Sequence, residues 1–442
     1  MNNIAGIPYV AARFDKNGAA LNQNEVTLST GTTDVIVAAH GWNNDEASAE
    51  TLYHDLFTNF AAVAQDVLKA KKVAIVGVLW PSKQFNNVVA AATAEQAGAA
   101  AGLTANSQAA DQTLQSLLDG VGEMFGKEGA AKIKTAKELL PKIQNDPKAR
   151  EQFVDALRGL VDKSAANEED NSKLFFKMNG AEMLEKLKMQ TPLVTAGTGG
   201  GGGGASLTRA GNFGNPPGGG GAAGLGDLFS GVKSGAMRLL NYLTYYEMKN
   251  RAGTVGKDGV GPMIDRLAAK TERIHLVGHS FGGRVVAATA AGSTTEKLQS
   301  ISFLQTAFSH NGFSKTMNGF FRDVVDKHRV KGPIIVTFTP NDRAVGLAYP
   351  TASRLSGAVA SAFGDKNDRF GGLGRNGAQQ MQPGEVVDAV NQLQPVNGSY
   401  ALQPGKFHNL ESSKFIIDPK GGDAHCFVTG KEVAWAVSRA MS

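Results

Sequence analysis

A single cysteine, Cys426, stands in a chain of 442 residues, so no intrachain disulfide can form. That usage fits a reducing cytoplasm, and equally export by a route without a cleaved signal peptide. Apolar runs are short, and none approaches the roughly 18 residues that a membrane-spanning helix needs. Residues 1–14 lack the basic start and long apolar stretch of a secretory leader. Charge is equally restrained: a net +5, with lysines and arginines scattered among acids, argues against a nucleic-acid partner. No closely spaced set of His with Asp, Glu or Cys suggests a metal, and no cofactor is expected. The six glycines at 199–204 lack the Gly-Lys-Ser/Thr ending of a phosphate loop. Residues 372–377, GLGRNG, fit a dinucleotide fingerprint only on paper, because no strand leads into them.

Hydrophobic residues are nevertheless 42% of the chain, enough for a large core. The runs DVIVAA (34–39) and VAIVGVLW (73–80) read as buried strands, with a helical spacing from 47 to 70 between them. Strand, helix, strand with short connections predicts a parallel sheet covered by helices. From about 87 to 190 the pattern changes. The apolar positions Leu114 to Phe125, Ile133 to Ile143 and Phe153 to Val161 predict three helices and no strand. The glycine-rich stretch 197–226 reads as a flexible linker. Beyond 228 the alternation resumes. Helices are expected at 237–249 and 263–269, then a strand at 273–277, a helix at 284–291, and strands at 298–308 and 332–339. A last strand is expected at 414–418 and a terminal helix at 431–441. The expected organisation is one catalytic domain, 1–86 with 228–442, interrupted by a helical cap (87–196) and a linker (197–227).

One motif carries chemistry. Gly278-His279-Ser280-Phe281-Gly282 fits G-x-S-x-G between a strand signal and a helix signal. A serine on so sharp a turn needs neighbours without side chains, since residues two before and two after it crowd the backbone. Such a serine requires a base, and the base an acid, in the chain order Ser, Asp or Glu, His. His425, just ahead of the terminal helix, is the preferred base over His408, while His310 and His328 come too early. Asp342 follows the strand IIVTFT and is the preferred acid, with Asp365, Asp368 and Asp423 as alternatives. Oxyanion donors are expected from the backbone of Phe281 and of Trp42, the latter in the His40-Gly41-Trp42 loop. His40 itself reads as a structural hydrogen-bonder, and Cys426 as a small buried residue rather than a thiol nucleophile.

The strand-HGW loop, the GHSFGG elbow, the aspartate after a later strand and the late histidine together resemble the α/β-hydrolase superfamily. The HGW and GHSFGG pair is similar to its lipase and esterase branch. Residues 30–85 and 228–442 carry this likeness and 87–227 do not. The segments NYLTYYEMKNRAGTVGKDGV (241–260), GHSFGGRVV and Asp342 with AVGLAYP further resemble uncharacterised bacterial hydrolase-like proteins. The resemblance implies an α/β-hydrolase fold, a mostly parallel central sheet flanked by helices. It implies Ser280 as nucleophile, His425 as base, Asp342 as acid, and Trp42 and Phe281 as oxyanion donors. The expected function is cleavage of carboxylic esters. An amidase or peptidase would use the same residues, and a lipolytic effector would touch a lipid surface through the cap. A binding protein on a hydrolase scaffold is disfavoured, because all three triad residue types are present in order.

Overall fold

The computed structural model describes residues 2–42, 44–82, 107–169, 172–188, 231–342, 344–345, 370–389 and 391–442. Eight strands form one sheet: β1 (Asn2–Ile4), β2 (Ile7–Arg13), β3 (Asp34–Ala39), β4 (Val73–Leu79), β5 (Arg273–His279), β6 (Leu298–Leu304), β7 (Ile334–Phe338) and β8 (Phe407–Glu411). Their order is β1-β2-β4-β3-β5-β6-β7-β8, parallel throughout except for the β1–β2 hairpin. The order reverses between β3 and β5, the kind of switch point at whose C-terminal side open α/β sheets place their sites.

The apolar runs are continuous because both faces of the sheet are covered. In β3, Val35, Val37 and Ala39 join one core, with α7 (Val232–Thr254), α8 (Gly261–Ala268) and α9 (Phe281–Gly292). Ile36 and Ala38 point the other way. They meet α1 (Glu46–Val63), α2 (Gln65–Ala70) and α12 (Lys431–Ala440), as a side-chain period of two requires. Each fully buried side chain of this kind, Phe57 or Phe303 for example, stabilises the fold by about 1.5–3 kcal/mol. Asp45 caps α1 by accepting from the Ser48 N–H.

Several elements differ from expectation. The hairpin β1–β2 has no counterpart in the sequence reading, because β1 is short and mostly polar. Its turn puts Ala5 and Gly6 at φ 48° and 88°, the geometry of a two-residue hairpin loop. The helix expected over 47–70 breaks at Ala64, with no glycine or proline to announce it. The last strand is β8, not 414–418. The latter residues form a turn in which Phe415 and Ile416 donate back to the Ser412 carbonyl.

Residues 107–188 are helical as expected: α3 (Ser107–Leu139), α4 (Pro147–Arg158), α5 (Ser172–Lys177) and α6 (Gly180–Lys188). Within the α3 span the first two expected helices stand apart at Gly126, whose non-helical φ of 62° only glycine adopts freely. Among the described residues these helices leave no large apolar side chain exposed. Leu118, Val121, Phe153, Leu157, Phe175 and Leu184 share a core with the N-terminal half of α7. α7 therefore belongs to two cores, since its C-terminal half packs on the sheet. Polar contacts dock this bundle on the loop after β6: Ser309 Oγ donates to the Glu169 carbonyl and the Phe320 N–H to Glu169 Oε2. The expected linker at 197–226 lies outside the described residues. Two short helices, α10 (Arg322–Asp326) and α11 (Leu373–Asn376), complete the chain. Among the described residues no helix is long and apolar enough to cross a membrane.

Candidate active site

β5 runs straight into α9, and Ser280 occupies the single residue between them. Its backbone sits at φ 56°, ψ −125°, a conformation that costs a non-glycine residue about 1–3 kcal/mol. Close packing imposes it. A Cβ on Gly278 would lie 2.5 Å from the Gly282 carbonyl oxygen, and one on Gly282 would lie 2.0 Å from that of Ala39. The backbone of Ser280 itself is engaged on both sides. Ser280 N–H donates to Leu304 O, and Ser280 O accepts from Gly283 and Ala307.

Three distant residues converge on this turn. Ser280 Oγ lies 2.8 Å from His425 Nε2, and His425 Nδ1 lies 2.9 Å from Asp342 Oδ2. Because the carboxylate can only accept, the Nδ1 nitrogen carries the proton and Nε2 is free to accept from the serine hydroxyl. Burial pushes the His425 pKa down, but the charge and hydrogen bond of Asp342, with the charge of Asp423, outweigh it and hold it above 6.5. Asp342 is fully buried. It also accepts from the Val345 N–H at 2.9 Å and from Gln305 Nε2 at 3.3 Å. Gln305 is held at φ 42° and bonds the Gly374 carbonyl, which gives the 372–377 glycines a packing role beside the site. Neither Gln305 nor Val345 had any sequence signal, because their importance lies only in what they face.

Beside the hydroxyl, Gly41 approaches so closely that a Cβ would lie 2.5 Å from the Cβ of Ser280. Trp42 and Phe281 follow Gly41 and Ser280 in sequence, and their rings meet edge to face at 6.1 Å. Neither the Trp42 nor the Phe281 N–H has an acceptor among the described residues. Phe281 N–H is one of the unpaired donors at the start of α9. Both residues thus adjoin Ser280, Phe281 in sequence and Trp42 through Gly41.

The other candidates fall elsewhere. His408 lies on β8 and accepts from the Gln403 N–H at 3.0 Å, with its pKa lowered by burial. His310 contacts Asn376, and His328 ends an exposed turn. Asp423 accepts from the His425 backbone N–H instead of its ring. Asp365 and Asp368 lie outside the described residues. Burial raises the Cys426 thiol well above its ordinary value, with the charges of Asp423 and Asp342 adding to it.

A second Ser-His-Asp array occurs at the opposite end of the sheet. Ser300 Oγ lies 2.8 Å from His275 Nδ1, and His275 Nε2 lies 3.1 Å from Asp34 Oδ1. All three are buried, and Asp34 is further bound by Arg273 at 2.8 Å and by Thr33 at 2.7 Å. Burial alone would raise the Asp34 pKa. The bonds from His275, Arg273 and Thr33 and the charge of Lys71 reverse that and hold it far below the carboxylate range. An aspartate so paired, at the N-terminal ends of parallel strands, ties β3, β5 and β6 together, at the end opposite to the one where open α/β sheets place their sites. Among the described residues no group of three His, Cys, Asp or Glu is placed to hold a metal ion. Comparison with known protein families, with curated proteins and with solved structures finds no match to the chain.

Proposed function

We propose that this chain is a serine hydrolase of the α/β-hydrolase type that cleaves carboxylic esters through an acyl-enzyme. The observation that carries the reading is the unbroken hydrogen-bonded line Ser280–His425–Asp342, ending on a serine held at positive φ. The strand order, with its reversal beside the serine, supports the fold assignment.

In the reaction, His425 Nε2 takes the Ser280 hydroxyl proton as Oγ attacks the ester carbonyl carbon. The carbonyl oxygen gathers charge and is held by the Trp42 and Phe281 N–H groups. Asp342 stabilises the imidazolium that results. His425 then gives its proton to the leaving alcohol, and the carbon–oxygen bond breaks to leave an acyl group on Ser280. Water, deprotonated by His425, attacks that acyl group, and the released serine oxygen takes the proton back. Every proton is returned, and no cofactor enters.

The helices of 107–188 bury their apolar side chains in a core shared with α7, which supports a fixed bundle rather than an amphipathic lid that opens at a lipid surface. A soluble short-chain ester is accordingly the first substrate to try. The test is labelling of the full chain with a fluorophosphonate, with the modified residue identified, alongside a panel of p-nitrophenyl esters of rising chain length and matched anilides. Label on Ser280 with turnover of an ester supports the reading. An unlabelled, folded chain inert to the whole panel overturns it, and turnover of anilides alone moves it to amide hydrolysis.

A further inference from the structure

The loop that carries Trp42 is braced by more hydrogen bonds than its length requires. His40 Nδ1 lies 2.9 Å from the Gly41 carbonyl oxygen, while the Trp80 backbone N–H points at His40 Nε2 at 3.3 Å. Both contacts are satisfied by one tautomer only, with the proton on Nδ1. The ring stacks on Trp80 at 5.6 Å, and full burial lowers its pKa to about 4, so it stays neutral near pH 7. His40 is locked through its backbone as well. Its N–H donates to the Tyr53 hydroxyl, and its carbonyl accepts from the Trp80 indole N–H. From the other side Asn44 Nδ2 also donates to the Gly41 carbonyl, at 3.2 Å, and Ser82 holds the Asn44 backbone at both its N–H and its carbonyl.

Two donors thus converge on one carbonyl. A trans peptide is planar, so the N–H of the next residue points opposite to that oxygen. The next residue is Trp42, whose N–H has no acceptor among the described residues and which adjoins the Gly41 that hugs Ser280. Rotation of this one peptide would turn a carbonyl toward the oxyanion and remove the donor. Such a flip is what the two bonds oppose.

We propose that His40 and Asn44 are positioning residues that pin the Gly41 carbonyl and so keep the Trp42 N–H aimed at the oxyanion formed on Ser280. This rests on the hydrolase reading above. His40 acts as a strut for transition-state binding and takes no proton in the cycle.

The experiment compares His40→Phe, His40→Asn and Asn44→Ala with the wild-type chain. Readouts are kcat and KM for p-nitrophenyl butyrate and the inhibition constant of a trifluoromethyl ketone, which forms the tetrahedral oxyanion. Loss of one oxyanion donor costs about 10²-fold in kcat, so His40→Phe is expected to approach that with KM within about twofold. His40→Asn, whose amide nitrogen can take the place of Nδ1, is expected to recover at least about tenfold of the loss. Asn44→Ala, removing the weaker contact at a half-buried position, is expected to lose about fivefold in kcat and the same in ketone affinity. If His40→Phe does not fold, Asn44→Ala and His40→Asn carry the comparison. Folded variants with wild-type kcat and ketone affinity overturn the inference, as does a loss confined to KM. A wild-type chain that takes no fluorophosphonate on Ser280 overturns the hydrolase reading and this inference with it, whereas a labelled, active wild type with unaffected variants overturns this inference alone.

Discussion

His279 donates from Nε2 to the backbone carbonyl of His425 at 2.9 Å, and the two rings lie 4.9 Å apart. The nucleophile elbow thus grips the loop that carries the proposed base. Burial, with the charge of His425 adding to it, lowers the His279 pKa to about 3, so this ring stays neutral beside the proposed base. His279→Phe is expected to keep the fold and lose about five- to tenfold in kcat, the worth of one buried hydrogen bond in placing a reacting group. His279→Gln, which can restore a donor at the Nε2 position, is expected to lie close to wild type. Equal loss in both variants would show that the bond does not matter.

For the triad, Ser280→Ala is expected to lower ester turnover by about 10⁴-fold or more, and His425→Ala to match it. The double variant should be little worse than either, because residues that act as one unit are not additive. Steady-state rates on one soluble ester check this. Multiplied losses in the double variant would break the assignment.

The pH profile follows from the sign of one shift. His425 must be neutral to accept the serine proton, and Asp342 and Asp423 hold its pKa above 6.5 against the effect of burial. kcat/KM is therefore expected to fall as pH drops through a midpoint above 6.5. Asp342→Asn removes the main opposing charge, so the residual activity should fall at a lower pH than in wild type. An unmoved midpoint would mean that another group governs the limb.

Acid stability depends on other histidines. His40 and His279 are buried neutral with pKa values lowered to about 4 and about 3, while in the unfolded chain both titrate near 6.5. Their contribution to stability is present above 6.5 and is lost as pH falls through the folded values. The urea midpoint is therefore expected to drop between about pH 6.5 and 4, and less so in His40→Phe than in wild type. A flat midpoint across that window would contradict the burial of both rings.

At the far end of the sheet the second serine, histidine and aspartate give the contrasting case. Asp34→Asn removes the buried carboxylate that His275, Thr33 and the partly exposed Arg273 all bond, and is expected to lower the urea midpoint of the folded chain. Ser300→Ala is expected to leave kcat on esters unchanged. A large loss of turnover in folded Ser300→Ala would reassign the nucleophile.

The sequence alone determined most of the central sheet and the serine of the relay, and ranked candidates for its other two members. DVIVAA, VAIVGVLW and RIHLV are strands because an unbroken apolar run fits only an element covered on both faces, and that constraint is local. Ser280 was legible for the same reason: Gly278 and Gly282 answer contacts made within a few residues or with the adjacent strand. His425 and Asp342 were legible through chain order but not through any local mark, and His408 and Asp423 fitted much of the same logic. What separated them was contact across 83 and 145 residues of chain, which no window along the sequence contains.

The tertiary structure alone decided the rest. β1 and β8 are short or partly polar, and pairing with β2 and β7 made them strands; their own residues did not. The apolar stripes of the helices in 107–188 show that something covers them but not what. They cover one another, because α7 extends out of the sheet domain to close their core. Gln305 and Asn44 carry no signal as residues, since an amide acquires a role only from the carboxylate or carbonyl it meets. The array Ser300–His275–Asp34 makes the same point from the other side. The same three residue types meet at both ends of β5, with the imidazole nitrogens used the opposite way round, and only the Ser280 array stands at the C-terminal ends of the parallel strands, where open α/β sheets place their sites.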